Sequence, residues 1–391
     1  MKKLAIISEY NPFHNGHNYI QKKAREITNA DIVIAIMSGD FVQRGEISLI
    51  DKYKRANSAM LSADLVIEMP SFISLQAANL FARKNIEILN KLEIDYLAFG
   101  IENISEKNFL KTCEKIFENE NRINIDTKNF LDEGMSFAKA SYLASIKYIE
   151  NKEFFSANNI LALEYLRAIK KLKANIEIVP IKRKNSMNKD VELRKDSFSS
   201  SSSIRNNIEN IKIKDYLPSL SYNYIKKFKN EYNIFPQNDL LYEIFRYKIL
   251  IEEKNMKDTL CYEDGMDNYL KKIAKDEIFY KDFIKNSTSQ RFTKSRIKRL
   301  MINYLLENKT YLNEVDINFI KVLSFNENAT KLFKECKLNV IMQKKDIDKL
   351  NKENKIIFEQ MIKASNLYSM IIGRKFDSDY REKISIKKSS Y

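Results

Sequence analysis

Four short apolar runs, residues 3–8, 31–37, 64–69 and 94–99, punctuate the first part of the chain, with helical patterns between them. Each is rich in Ile, Val and Leu and lacks the alternation of a strand with one wet face. Continuous runs of this kind suit strands buried on both faces of a parallel sheet. The intervening stretches, roughly 16–28, 49–62 and 74–92, space their apolar residues as helices do, for example at positions 77, 80, 81, 88 and 89. Strand–helix alternation at this interval predicts βαβ units and a doubly wound parallel sheet, an α/β fold of Rossmann-like type. Ligands of such sheets bind beyond the carboxyl ends of the strands.

From about 105 to 172 the pattern is helical, and 174–182 reads as one more strand around Pro180. A serine run, Ser199 to Ser203, precedes Ile204-Arg205, which opens the next helix. Beyond 206 the chain reads as helical almost throughout, with Pro218 and Pro236 as punctuation. The expected organisation is therefore an α/β unit over 1–205 and a mostly α-helical unit over 206–391. Charge follows the same division. The net charge is +15, but the first 150 residues hold 19 basic and 20 acidic side chains, while the remainder holds 48 and 32. A uniform compositional bias would not leave the first part neutral, so a polyanion-binding surface is expected in the second.

Three cysteines (Cys113, Cys261, Cys336) with no close pair argue against a disulfide framework. Together with only two histidines they argue against a Cys/His zinc site, so no protein-held metal is expected. The N-terminal apolar run is too short for a signal peptide, and no stretch approaches the ~20 apolar residues of a membrane span. A cytoplasmic protein without a membrane role is expected, and no protein partner can be deduced.

Both histidines fall in the turn after the first strand, Glu9-Tyr10-Asn11-Pro12-Phe13-His14-Asn15-Gly16-His17, where a helix begins. Their spacing can aim His14 and His17 at one ligand. A helix N-terminus offers free N–H groups and the positive end of its dipole to a phosphate, and Gly16 allows close approach. Imidazoles at the bridging oxygens of a triphosphate could donate hydrogen bonds as charge builds during attack on the α-phosphorus. Ser202 and Arg205 could form a second phosphate clamp, although the serine run also reads as a linker. Gln43, Arg44, Glu46, Lys52 and Arg55 follow the second strand on the same edge, as rim contacts or as a solvated charged face. In the later half, Arg291, Lys294, Arg296, Lys298 and Arg299 crowd nine residues without an acid, ahead of the apolar stripe Ile297, Leu300, Met301, Tyr304 and Leu305. That favours contact with nucleic-acid phosphates. The tail bases Lys383, Lys387 and Lys388 are a weaker signal of the same kind.

The histidine turn resembles that of the H-I-G-H nucleotidyltransferase superfamily. Phe198-Ser199-Ser200-Ser201-Ser202-Ser203-Ile204-Arg205 is similar to the superfamily's Ile-Ser-Ser-Thr-x-Ile-Arg, with Ser202 at the Thr position. More narrowly, the turn, Met37-Ser38-Gly39-Asp40-Phe41-Val42-Gln43-Arg44-Gly45-Glu46, Asp64-Leu65-Val66-Ile67-Glu68-Met69-Pro70, Phe99-Gly100, Asn158-Asn159-Ile160-Leu161, Ile181-Lys182-Arg183 and Thr293-Lys294-Ser295-Arg296-Ile297-Lys298-Arg299 resemble, in order, the bacterial tRNA(Met) cytidine acetate ligases. Ala157 stands where the family has Pro, and Lys184-Asn185-Ser186 replaces a more Gly-containing stretch.

The resemblance implies an ATP-binding catalytic domain over 1–205 and a tRNA-binding domain over 206–391. It implies activation of acetate by ATP to acetyl-adenylate and pyrophosphate, then acetylation of the wobble cytidine of elongator tRNA(Met). Implied ATP contacts are Ile7, Ser8, Glu9, Tyr10, Asn11, Pro12, Phe13, His14, Asn15, Gly16, His17, Asn18, Tyr19, Ile20, Gly100, Asn158 and Arg183. Mg²⁺ is expected on the nucleotide phosphates rather than in a protein cage. Two other readings remain at this point: a small-molecule nucleotidyltransferase, against which the long basic half counts, and a non-catalytic RNA-binding protein on a relic nucleotide fold.

Overall fold

The computed structural model describes residues 1–184 and 198–387; Asn185, Ser186 and Lys388 lie outside the described residues. Its strands are β1 (Lys3–Ser8), β2 (Ile32–Ser38), β3 (Phe41–Val42), β4 (Glu46–Ile47), β5 (Leu65–Met69), β6 (Tyr96–Ile101), β7 (Glu177–Lys182), β8 (Phe319–Asn326), β9 (Asn339–Ile341) and β10 (Ser385–Lys387). The main sheet runs β10-β8-β5-β2-β1-β6-β7, with β9 also paired to β8. Strands β5, β2, β1, β6 and β7 are mutually parallel. The order reverses at β1, so the crevice beyond the carboxyl ends of β1 and β6 is the expected ligand site.

The apolar runs become strands because each is covered twice. Ile32, Ile34 and Ile36 of β2 enter one core, with the helices Ala78–Lys91 and Ala157–Leu172. Val33, Ala35 and Met37 enter the opposite core, with the helices Asn15–Thr28 and Lys52–Ala59. A third core belongs to the helical part between Ile204 and Leu306, and it takes in Phe41 and Ile47 of the β3–β4 hairpin. Among the described residues no helix is long and apolar enough to cross a membrane.

The expected helical unit over 206–391 contains strands. Residues 319–326 form β8, which lies antiparallel to β5, and β9 and β10 add to its far edge. The reason is local: all eight residues of β8 are buried, and its one ammonium, Lys321, is neutralised inside the protein. Lys321 pairs with Glu68 at 2.8 Å and with Asp379, while Lys52 pairs with Glu68 at 2.8 Å and Asp379 at 2.6 Å. Burial alone would discharge these groups. Instead the Lys321 and Lys52 charges hold the Asp379 carboxyl far below the usual carboxylate range.

Lys52 and Arg55 therefore do not reach the active-site rim. Both are wholly buried, Lys52 in this network and Arg55 against backbone carbonyls. Asp379→Asn, which leaves two buried ammonium groups with one carboxylate, should cost about 3–5 kcal/mol of stability. Urea unfolding measures this, and a loss under about 1 kcal/mol would mean that the network carries little of the fold.

Candidate active site

The turn after β1 is built to end a strand and start a helix within a few residues. Tyr10 takes a left-handed conformation (φ 46°), and the Asn11–Pro12 peptide is cis. Tyr10 and Phe13 pack edge to face, 5.0 Å between ring centres, and both are buried in the core. They support the turn from below. Asn18 likewise accepts a hydrogen bond from Ser62 Oγ at 2.9 Å. Of the residues 7–20, then, several shape the turn.

His14 is the N-cap of the helix Asn15–Thr28. Its Nδ1 accepts from the Gly16 N–H at 3.0 Å, and the His17 Nδ1 accepts from the His14 N–H at 3.3 Å. The two histidines thus perform the reciprocal capping that Ser and Glu perform elsewhere. Their rings stack with centres 3.8 Å apart. Gly16 is required for this: a Cβ there would lie 2.9 Å from His14 Cε1.

Burial drives both imidazoles neutral. It lowers His14 well below its ordinary value, with help from His17, Arg183 and Arg205. Burial and the Arg183 charge bring His17 to about 3, against the opposing pull of the Pro12 carbonyl. A neutral imidazole whose Nδ1 accepts carries its proton on Nε2. The His14 Nε2 is buried and has no hydrogen-bond partner. An unsatisfied buried donor costs about 1–3 kcal/mol, and an acceptor on a ligand would relieve it.

Two guanidinium groups flank the pair. Arg183, just past β7, donates to Glu102 Oε1 at 2.8 Å, and Asn158 Nδ2 donates to the same oxygen at 2.6 Å. Asn159 fixes this corner by bonding the backbone of Glu102 and Phe154. Gly100 lets Arg183 cross the end of β6, since a Cβ would come within 2.9 Å of Arg183 Cγ and 3.0 Å of Ile20 Cδ1. Lys184 lies 4.4 Å above the ring of Tyr19. On the other side Arg205 donates to the Asn11 carbonyl at 2.7 Å, to Glu46 at 3.1 Å and to Ser202 Oγ at 3.4 Å.

The serine run is no exposed linker. Ser199, Ser200 and Ser203 are buried, and Ser200 Oγ caps the short helix Ser201–Asn206 by accepting from the Ser203 N–H at 3.1 Å. Burial raises the Glu9 carboxyl, with Arg205 and Arg44 opposing, and its Oε1 accepts from the Gln43 N–H at 3.0 Å.

The fold thus brings His14, His17, Gly16, Gly100, Asn158, Arg183, Ser202 and Arg205 to one crevice. The basic helix Lys294–Leu306 meets its edge where Lys298 pairs with Glu46 at 3.0 Å. Arg291 and Arg296 turn the other way and share Glu263, at 2.6 and 2.5 Å. Lys294 is exposed, and Arg299 is half-buried with its Nε unpartnered. The acids absent from the local sequence arrive from elsewhere in the chain. Glu102 and Glu263 were not singled out from the sequence; Glu102 could have been, because it directly follows β6 at the switch point. Among the described residues no group of three His, Cys, Asp or Glu side chains is placed to hold a metal ion.

The model of the family described as "HIGH Nucleotidyl Transferase" matches residues 1–383. A protein of Caldicellulosiruptor bescii named tRNA(Met) cytidine acetate ligase is 33% identical over 384 residues, covering 95% of this chain and 94% of that protein. One of Staphylococcus aureus with the same name is 33% identical, with 96% of each chain covered. Two crystal structures of Thermotoga maritima TmcAL cover the whole of both chains: the apo form at TM-score 0.89 and 29% identity, and the form bound with alpha-thio ATP at 0.87 and 28%. The chain belongs to the HIGH nucleotidyl transferase family and, within it, to the group of the tRNA(Met) cytidine acetate ligases.

Proposed function

We propose that the protein is an ATP-dependent tRNA(Met) cytidine acetate ligase. The observation that carries this reading is the stacked, neutral His14–His17 pair at a helix N-terminus, with an unpartnered buried Nε2, in a chain whose full-length relatives bear that name. In the first step an acetate oxygen attacks the α-phosphorus of ATP, the bond to the β-phosphate breaks, and pyrophosphate leaves. Acetate is a weak nucleophile, so the site must align it and stabilise the leaving charge. The Nε2–H groups of His14 and His17 donate to phosphate oxygens without bringing a charge that burial would oppose. Arg183 and Arg205 supply the positive charge, assisted by the helix dipole.

In the second step the exocyclic amine of the wobble cytidine attacks the acetyl carbonyl, and AMP departs with the electrons of the broken carbon–oxygen bond. The mixed anhydride is already reactive, so the main demand is delivery of an exposed base. The helical part, with Lys298 at the edge of the crevice and Lys294 and Arg299 on the same helix, is the proposed tRNA-binding region, and residues 1–205 supply the proposed ATP contacts. Mg²⁺ would ride on the nucleotide phosphates. A cytoplasmic location is part of the proposal, since ATP and tRNA are the substrates it requires.

The purified protein should exchange labelled pyrophosphate into ATP only when acetate is added; exchange indifferent to acetate, or none, rejects the ligase. His17→Ala should abolish that exchange while changing tRNA affinity less than about twofold, because it removes electrostatic stabilisation of the transferring phosphate and one cap of the helix Asn15–Thr28, and neither lies on the basic helix. Loss of tRNA binding in this variant would mean that the turn is misassigned. The two histidines are the only ones in the chain, so NMR can follow both. The His17 midpoint should lie near 3 if the fold survives, and the His14 midpoint well below the ordinary imidazole value. The folded values lie below the unfolded value of about 6.5. Unfolded imidazoles therefore bind protons first, and this contribution to stability is lost as pH falls from about 6.5 towards the folded values. A midpoint near 6.5 in the folded protein would show solvated, not buried, imidazoles.

A further inference from the structure

The β3–β4 hairpin is the one place described above where the nucleotide crevice and the basic helix meet through a shared side chain. Glu46 Oε2 accepts from Arg205 Nη2 at 3.1 Å, and Glu46 Oε1 faces Lys298 Nζ at 3.0 Å. Its side chain is 29% exposed and that of Lys298 only 11%, so solvent screens the three charges weakly. Burial works to raise the Glu46 carboxyl, but Lys298 and Arg205 outweigh it and hold the group ionised. The hairpin cannot drift from the helix. Phe41 and Ile47 are anchored in the helical core. Gly45, at φ +69°, brings the turn so close that a Cβ would lie 2.6 Å from the Arg299 nitrogen. Arg205 is fixed from its other side by the Asn11 carbonyl in the histidine turn.

We propose that Glu46 is a positioning residue that couples nucleotide binding to RNA binding, because one carboxylate is shared between a cation facing the nucleotide phosphates and a cation on the tRNA-binding helix. This rests on the ligase reading for the identity of the two polyanions. When ATP phosphates draw Arg205 away, Glu46 keeps Lys298 as its one paired counter-ion, with Arg44 farther off, and grips it harder. An RNA phosphate must then displace a stronger pair. Conversely, an RNA phosphate that captures Lys298 returns Glu46 wholly to Arg205 and pulls the guanidinium off the leaving pyrophosphate. The two ligands weaken each other, by the same factor in both directions as linkage requires. The arrival of tRNA thereby favours release of pyrophosphate before acetyl transfer.

The test is the affinity of the full-length protein for a tRNA(Met) transcript, without acetate, in the presence and absence of saturating α,β-methylene ATP. In the unmodified protein the analogue should weaken tRNA binding by about fivefold, and tRNA should weaken analogue binding by the same factor. In Glu46→Gln the factor should fall to near one, while each ligand alone binds at least as tightly as before. Lys298→Gln should lose the coupling too and bind the analogue more weakly even without tRNA, since Glu46 is then left wholly to Arg205, which tests the proposal independently if Glu46→Gln folds poorly. Coupling that survives both substitutions would be general repulsion between polyanions and would overturn the proposal. So would coupling that is absent or positive in the unmodified protein. Acetate-dependent pyrophosphate exchange needs no RNA, so failure of the ligase reading shows there and is separable from failure of the coupling.

Discussion

The guanidinium of Arg55 is the constraint on which the active site depends. It is fully buried, yet its nearest acid, Asp40, is 3.9 Å away. What it binds instead is backbone: the carbonyl of Glu9 at 2.7 Å, those of Ser38 at 3.1 Å and Gly39, and that of Ile50 at 3.1 Å. These carbonyls belong to the chain leaving β1, the chain leaving β2, and the segment entering the helix Lys52–Ala59. Strand ends that diverge from a parallel sheet have no ladder partners, and buried carbonyls need some donor. One planar fork with five N–H groups satisfies the need that would otherwise fall to several side chains. The histidine turn and the β3–β4 hairpin can therefore face each other at a set distance.

On that base the site works by withholding charge where it would hurt and placing it where it helps. Desolvation leaves His14 and His17 neutral, so they can sit 3.8 Å apart as donors without repelling each other. Permanent charge is delegated to Arg183 and Arg205, each held by a carboxylate, Glu102 and Glu46. With Arg183 and Arg205 paired in the resting protein, the phosphates of a nucleotide have carboxylates to exchange with rather than an empty field to fill.

Much of this was legible in the sequence. The runs around Ile6, Ile34, Ile67 and Leu97 announced the central strands because a strand covered on both faces needs nothing but apolar residues. The placement of His14 and His17 was legible as the junction of a strand end and a helix start, which is where they lie. Phe319–Asn326 was missed because a lysine interrupts it, and only the fold reveals that Glu68 and Asp379 neutralise that lysine. The roles of Lys52, Arg55, Lys298 and Arg296 were equally hidden. A basic side chain looks the same in sequence whether it faces solvent or an acid from a remote segment, and Glu46 and Glu263 are such acids.

The return of β8, β9 and β10 to the sheet bears on how the protein is made. During synthesis β5 emerges early, but the strand that covers its open edge comes some 250 residues later, after the entire helical part. Until then the buried face of Lys52 and Glu68 has no Asp379 and no Lys321. Pairing so distant in the chain is slow to close. A ribosome-bound fragment ending before β8 would hold the nucleotide crevice in a sheet with an exposed, charged edge. The sheet that carries the histidine turn is thus completed only once the helical part is already present.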